Sequence, residues 1–415
     1  MPIQPTIELI PLYPVTNRER SSTLDLIVRI ATLARSIAPN RPPLNLGFVI
    51  DRSGSMAGVK IENARAAIVY AIQQLQPSDR FSVTIFDDEV STLIPSTPAI
   101  DKNSAIAKVN RIQPRNSTAL HAGWVQGGIQ VSQYLSPEAV NRVILLSDGL
   151  ANVGETNLDT IASQVRGLVK RGASTSTMGV GDDYDEDLLE AIARSGDGNY
   201  YYISSPADLP KIFQTELQGL MSTFGHTASL GIEPQAGVEL VDVFNDFDRT
   251  EYGRYKLPNL VRGNKIDIAI RLQIPASSGD RDLCFFRLAW NDAETGERRV
   301  MRVQLRLPAV SAAEYSEFAP NTEVQNSIAQ LSIARTKEEA AQYAAKGDLE
   351  GTRIVLEQAR ACISVMSAPA AAVELEELED LQADLASGGG EVARKKMLYQ
   401  RYQSRRSEER SKPKS

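Results

Sequence analysis

The sequence predicts an α/β protein: a doubly wound, mostly parallel sheet inserted in an antiparallel β-sandwich, followed by an α-helical C-terminal region. Three observations carry this reading. The nearly unbroken apolar run Leu44 to Ile50 opens a series of short apolar runs that alternate with helical stretches, as expected for parallel strands buried on both faces and joined by helices. On either side of that series the period changes to two: Leu24, Leu26, Val28 and Ile30 alternate with Thr23, Asp25, Ile27 and Arg29, and Ile266 to Ile274 repeats the pattern. Such alternation marks strands with one buried face. Beyond Pro320 the pattern becomes helical.

Length and composition set limits. A chain of 415 residues is long for one domain, and its 42% apolar residues suffice to build real cores. The net charge of −7 argues against a nucleic-acid binder driven by phosphate neutralisation. Cys284 and Cys362 are too few and too far apart in sequence for a disulfide framework or a thiolate zinc site, which fits a reducing compartment. Met1-Pro2-Ile3-Gln4-Pro5-Thr6 has neither the basic start nor the apolar core of a signal peptide, and no apolar run approaches membrane-spanning length. The expectation is a soluble, cytoplasmic protein with no membrane and no nucleic acid among its partners.

In chain order, residues 1–43 supply strands expected to pair with the sandwich, and Pro42-Pro43 ends them. Residues 44–221 form the α/β domain. After its first strand, Ile61, Ala64, Ile68, Ile72 and Leu75 recur at helical spacing. Further strands are expected around 81–86, 143–146, 174–180 and 200–203, with helices around 104–112, 120–135, 158–171 and 186–194. Residues 225–310 form the sandwich, where Asp292-Ala293-Glu294-Thr295-Gly296 reads as a hairpin turn. In residues 320–415 a helix is expected to end at Gly347, with Asp348 opening the next. Glu374 to Asp384 carries six acidic residues and no basic one, whereas Glu391 to Ser415 has nine Lys or Arg against three Glu. This alternation reads as two solvated helices and a frayed end.

The chemistry concentrates in one loop. Asp51 directly follows the apolar strand, and Asp51-Arg52-Ser53-Gly54-Ser55 offers a carboxylate and two hydroxyls at alternate positions before the next helix. Open α/β sheets place their ligands in such loops, at the carboxyl ends of parallel strands. Asn116-Ser117-Thr118 precedes a later helix, and Ser147-Asp148-Gly149 ends another apolar strand, so Thr118 and Asp148 are available on the same rim. Hard oxygen donors of this kind suit Mg²⁺, Mn²⁺ or Ca²⁺. The bland alternative is that Asp51 and Ser55 only shape a turn or cap the helix.

With these residues the sequence resembles the von Willebrand factor type A family, the same fold as the integrin I domain. Asp51-x-Ser53-x-Ser55, Thr118 and Asp148 match, in order, the five elements of the family's metal-ion-dependent adhesion site. The resemblance implies direct binding of Mg²⁺ (or Mn²⁺ or Ca²⁺) by Ser53, Ser55 and Thr118, with Asp51 and Asp148 acting partly through water. It also implies an open coordination position for an Asp or Glu of a partner protein. The flanking strands and helical end resemble inter-α-trypsin inhibitor heavy chains and many bacterial proteins. The implied function is a scaffold or adaptor that is not an enzyme. One alternative is a chaperone subunit working with a MoxR-type AAA+ ATPase in protein maturation or metal and cofactor insertion. Another is a structural homo-oligomer whose metal site is filled by its own acidic stretch; oligomeric state is not legible.

Other acidic or histidine residues invite weaker readings. Asp182 to Asp187 lacks the glycine and distal Glu of an EF-hand loop, so Asp185 is expected to cap a helix. Asp87-Asp88-Glu89 is expected to be a solvated turn, and His121 a capping or packing residue. The chain has no Gly-x-Ser-x-Gly elbow, no Gly-x-x-x-x-Gly-Lys loop and no His-Glu-x-x-His motif, and it has two histidines in all.

Overall fold

The chain opens with three strands, β1 (Thr6–Pro11), β2 (Thr16–Asn17) and β3 (Ser22–Ala31). The structure is a computed structural model and describes residues 4–32, 41–115, 117–151, 153–181, 184–235, 237–276, 279, 281–387 and 390–405. It divides into two compact units: Ser36–Phe224 with Ala293–Gly296, and Met1–Arg35 with Gly225–Asp292 and Glu297–Ser415.

The first unit contains β4 (Leu44–Asp51), α1 (Val59–Gln74), β5 (Arg80–Phe86), β6 (Val90–Pro98), α2 (Lys102–Val109), α3 (Leu120–Ser132), β7 (Val140–Ser147), α4 (Leu158–Lys170), β8 (Ser174–Val180), α5 (Glu186–Ser195), β9 (Asp197–Ile203) and α6 (Leu209–Met221). Its sheet has the order β6-β5-β4-β7-β8-β9, parallel except for β6. All eight residues of β4 are buried, because both faces are covered. Leu46, Phe48 and Ile50 enter a core shared with Ile68, Ile72, Phe213 and Leu217 of α1 and α6. On the opposite face, a Cβ added to Gly47 would meet Val131 of α3 at 2.7 Å. The antiparallel edge strand β6 was absent from the sequence expectation. Its polar residues and its prolines, Pro95 and Pro98, mask a strand signal and are tolerated on a sheet edge. Strand order reverses at β4, whose neighbours are β5 and β7. The carboxyl ends of β4 and β7 therefore flank the crevice where such sheets bind ligands.

The second unit adds β10 (Thr223–Pro234), β11 (Glu239–Val243), β12 (Tyr255–Lys256), β13 (Leu260–Val261), β14 (Lys265–Ile274), β15 (Arg281–Asp292), β16 (Arg298–Leu307) and β17 (Ala309–Val310). Two antiparallel sheets result, β1-β3-β14-β11 and β12-β10-β15-β16, with β13 beside β10 and β17 beside β2. β3 pairs with β14 along its whole length, Ser22 opposite Ile274 and Ala31 opposite Lys265, so the α/β segment is inserted between paired strands. Directly opposite pairs are matched in charge: Arg29 to Asp267 and Arg271 to Asp25, each 2.7 Å apart. The hairpin turn between β15 and β16 is closed by Asp292 N–H donating to the Glu297 carbonyl at 2.9 Å.

The helices of the second unit are α7 (Ala312–Tyr315), α8 (Thr322–Ala345), α9 (Leu349–Ile363), α10 (Ala368–Ala386) and α11 (Gly390–Arg405). They change two expectations. β3 was expected to bury one face, yet Asp25 and Ile27 on its other face are buried too. The reason is α8, whose Leu331 packs with Ala269 and Phe244 and whose Arg335 reaches Asp242 at 2.6 Å. The acidic and basic helices were expected to be solvated. Instead Leu378, Leu381, Ala393, Met397 and Leu398 join a core with α8 and α9. Glu374 is fully buried, 3.6 Å from the buried Lys337, which also holds Glu377 at 2.7 Å. Leucines at helical spacing between the acids give α10 an apolar face that charge counting overlooks. Gly347 ends α8 at a φ of +74°, and Asp348 caps α9 by accepting from Gly351 N–H. Residues 406–415 lie outside the described residues.

Helix α3 approaches the sheet through glycine, and a Cβ on Gly127 would lie 2.2 Å from Val49 Cγ2. Gly127→Ala is expected to lower stability by about 1–3 kcal/mol, the usual cost of overpacking, despite the better helix propensity of alanine. Urea unfolding measures this; unchanged or increased stability would mean that α3 retreats at no cost.

Candidate metal centre

Asp51 is the last residue of β4, and Asp148 follows the last residue of β7. Both are fully buried. Two carboxylates held out of water need compensation, and the surrounding loops supply it. Asp51 accepts from Ser53 N–H at 2.7 Å and from the Ser147 hydroxyl at 2.5 Å. Asp148 accepts from the Ser55 hydroxyl at 2.8 Å on one oxygen and from Lys60 Nζ at 2.5 Å on the other. The Ser53 and Ser55 hydroxyls are 3.0 Å apart.

Thr118 joins the same group. A Cβ placed on Gly149 would lie 3.3 Å from Thr118 Oγ1, 3.4 Å from Ser55 Oγ and 4.0 Å from Ser53 Oγ. Those three hydroxyls thus converge on the space in front of Gly149, a cradle that any larger residue would fill. All five residues expected from sequence come together, with Ser55 exposed and the other four buried. The donor set is oxygen alone, three hydroxyls and two carboxylates. Among the described residues, no group of three or more His, Cys, Asp or Glu side chains could hold a metal ion. The mixed set of oxygen donors fits a hard divalent cation. Residues Ser53, Ser55 and Thr118 would hold it, with Asp51 and Asp148 behind them.

The loops are laced together beneath the site. The Arg52 N–H donates to the Phe86 carbonyl at 2.8 Å, and Arg115 N–H donates to the Arg52 carbonyl at 2.6 Å. Asp87 was expected in a solvated turn with Asp88 and Glu89. Those two are exposed, but Asp87 is fully buried. Its carboxylate lies 3.0 Å from Arg52 Nε and 3.6 Å from Arg115 Nε, and its carbonyl accepts from Ala119 N–H at 2.7 Å. Met56, fully buried, pins the end of the Asp51 loop into the core.

Sequence reasoning missed Ser147, Lys60 and the Arg52–Asp87–Arg115 tie. No local signal marks Asp87: its place follows from Phe86 pairing with Asp51, which brings the next residue to the same loops. His121 lies 2.8 Å from Gln164 and stacks on Trp124, as a packing residue does. Asp185 caps α5 by accepting from Leu188 N–H; Asp182 and Asp183 lie outside the described residues.

Burial pushes the Asp51 carboxyl up from its ordinary 3.8 to about 6, against the bonds from Ser147 and Ser53, with Asp148 adding to the rise. The rise corresponds to on the order of 3 kcal/mol against ionisation. Because the folded value lies above the unfolded one, this group's stabilising contribution is complete below 3.8 and is lost as pH rises through about 6. A cation that binds only the folded state offsets that loss. Mg²⁺ is therefore expected to raise the thermal midpoint more above pH 6 than below it, where a proton on Asp51 competes. Equal increments on both sides of that pH would argue against Asp51 as part of the centre.

Lys60→Met gives a second test. Without metal, the variant is expected to lose roughly 1–3 kcal/mol, since a buried carboxylate loses its cation. Titration calorimetry with Mn²⁺ is expected to show severalfold tighter binding, because the ammonium no longer competes for Asp148. Weaker Mn²⁺ binding would overturn this view of Lys60.

Comparison with known proteins agrees with the fold of the first unit. Residues 45–215 match the family model of the von Willebrand factor type A domain. The uncharacterised protein sll0103 of Synechocystis sp. is 28% identical over 352 residues, covering 80% of this chain and 81% of that one. Human inter-alpha-trypsin inhibitor heavy chain H2 is 30% identical over 203 residues, 46% of this chain, and the match spans only 21% of that protein's length. Among solved structures, a von Willebrand factor type A protein from Catenulispora acidiphila has the same fold, with a TM-score of 0.70 at 19% identity over 92% of this chain and 90% of that one. Residues 45–215 thus match the von Willebrand factor type A domain family and share its fold.

Proposed function

We propose that this protein is a scaffold or adaptor that captures an Asp or Glu side chain of a partner protein through a divalent cation held by Ser53, Ser55, Thr118, Asp51 and Asp148. Type A domains are commonly protein–protein interaction modules and often bind a divalent metal. The observation that carries the reading here is the convergence of three hydroxyls on the cradle before Gly149, backed by two buried carboxylates. When bound, Mg²⁺ supplies positive charge and a coordination position for an oxygen ligand.

The chain's own residues do the rest. Asp148 is held on both oxygens, and Asp51 is held by Ser53 and Ser147, so the donors are oriented before any ligand arrives. Ser55 is exposed and gives the centre its face to solvent. The role proposed is binding and not bond-breaking; His121, beside the site in sequence, is hydrogen-bonded to Gln164 at 2.8 Å. The ligand belongs to another chain in this reading; in the acidic helix α10, Glu374 and Glu377 are held by Lys337, and Asp384 by Lys396. Two free thiols fit a cytoplasmic setting. Among the described residues, no helix is long and apolar enough to cross a membrane.

Affinity capture in Mg²⁺, followed by mass spectrometry, tests the proposal. Asp51→Ala and Asp148→Ala are expected to abolish partner capture with the fold retained, and EDTA is expected to do the same. Thr118→Ala is expected to weaken capture roughly ten- to a hundredfold, as lost supporting contacts at metal centres do. A partner retained through both chelation and Asp51→Ala would sink the mechanism.

A further inference from the structure

Strand β16 is the edge of its sheet, with β15 on one side. Its residues alternate in exposure, and Arg298, Val300, Arg302, Gln304 and Arg306 form the exposed set. Arg302 sits directly opposite Arg287 on β15, a like-charge pair of the kind that destabilises a sheet. Two more arginines crowd the same face. A Cβ on Gly231 of β10 would lie 3.6 Å from Arg287 Cβ and 3.8 Å from Arg254 Cγ. Arg298 folds back over the sheet to the Thr227 carbonyl at 2.8 Å and to Ser229 Oγ at 3.3 Å.

Among the described residues, none of Arg254, Arg287, Arg298 and Arg302 has a carboxylate within ion-pair distance. Glu233 is the acid that faces the group, and it acts on Arg287 only through space. The Arg287 Nη1 is buried with no hydrogen-bond partner, and an orphaned buried donor calls for an explanation such as an absent ligand. Burial, Arg254 and Arg302 all draw the Arg287 pKa down, and burial, Arg287 and Arg254 do the same to Arg298.

Charges on an edge strand ordinarily serve to prevent edge-to-edge pairing. That role accounts for Arg298 and Arg302 on β16. It does not account for Arg287 on the interior strand β15, or for Arg254 beside β12 at the far side of the sheet. We propose that the β16 edge and these four arginines form a docking surface for an extended acidic segment of a partner protein, added as a further strand. The free edge of β16 offers backbone donors and acceptors to the incoming strand. Acidic side chains at alternate positions neutralise Arg298, Arg302 and Arg287, which lie within one or two strand spacings, while Arg254 adds to the field they meet. An extended peptide uses both features, whereas a nucleic acid uses only the charge.

The test uses the full chain carrying Asp51→Ala, in EDTA, so that the metal centre contributes nothing. The probe is a fluorescein-labelled decapeptide of alternating Glu and Thr, followed by anisotropy. Saturable binding is expected. Arg302→Glu is expected to weaken it about tenfold or more, as loss or reversal of an interfacial charge does. Arg302→Glu is also expected to raise the thermal midpoint of the free protein, because it replaces a like-charge pair by an opposite one. Arg302→Gln, which removes the charge without reversing it, is expected to give a smaller loss of binding with the fold retained. A peptide of equal charge interrupted by proline, unable to complete a ladder, is expected to bind about tenfold more weakly. Equal binding of the proline peptide or of an oligothymidylate of equal charge would overturn strand addition in favour of a generic polyanion patch. Unchanged affinity in both Arg302 variants would overturn the surface altogether.

Discussion

Two buried carboxylates at the ends of neighbouring strands are the constraint to which the α/β unit answers. Asp51 and Asp148 are brought together because β4 and β7 are adjacent where the strand order reverses. Like charges out of water repel strongly, and each must be matched locally. Asp51 is matched by a backbone N–H and a hydroxyl, Asp148 by a hydroxyl and an ammonium. This requirement fixes the placement of other elements. Lys60 lies in the first turn of α1, so the start of that helix must stand over Asp148. Ser147 must point from the end of β7 toward β4. The loop between Asp51 and α1 is short, and Met56 anchors it in the core.

The parts of this arrangement that were legible in the sequence are those with a local signature. The run Leu44–Ile50 ending abruptly in Asp51 marks both a doubly buried strand and its functional end. The alternating pattern of Ile266–Ile274 matched that of Leu24–Ile30, and the two do pair in register. Asp51 and Asp148 stand out because each follows an apolar strand, whereas Ser53, Ser55 and Thr118 stand out through the resemblance to the type A family. What escaped depends on distant neighbours. Asp87 looks like Asp88 and Glu89 in sequence, and only Arg52 and Arg115 converging from two other loops make it a buried tie. Lys60 looks like an ordinary residue on a helix flank until Asp148 appears beside it. The second buried face of β3 depends on α8, which follows it by hundreds of residues, and period-two reasoning sees one strand at a time. In α10 the acidic count concealed Leu378 and Leu381, the residues that dock the helix.

Lys60 bears on why such a centre would prefer an anion at all. With both carboxylates ionised and the lysine protonated, the three side chains carry one net negative charge. On the proposed reading, a divalent cation turns this into one net positive charge. The same site without Lys60 would be neutral when loaded, and an incoming carboxylate would gain only the coordination bond. The ammonium thus weakens the hold on the metal and strengthens the attraction for an acidic ligand, two effects of one charge with opposite signs. The arginine face of β15 and β16 differs in kind, since its charge is permanent and needs no ion. On the two proposals, a chain of net charge −7 has two places that attract acids, one conditional on a dissociable cation and one not. The conditional one is the one that changes in cation concentration can switch.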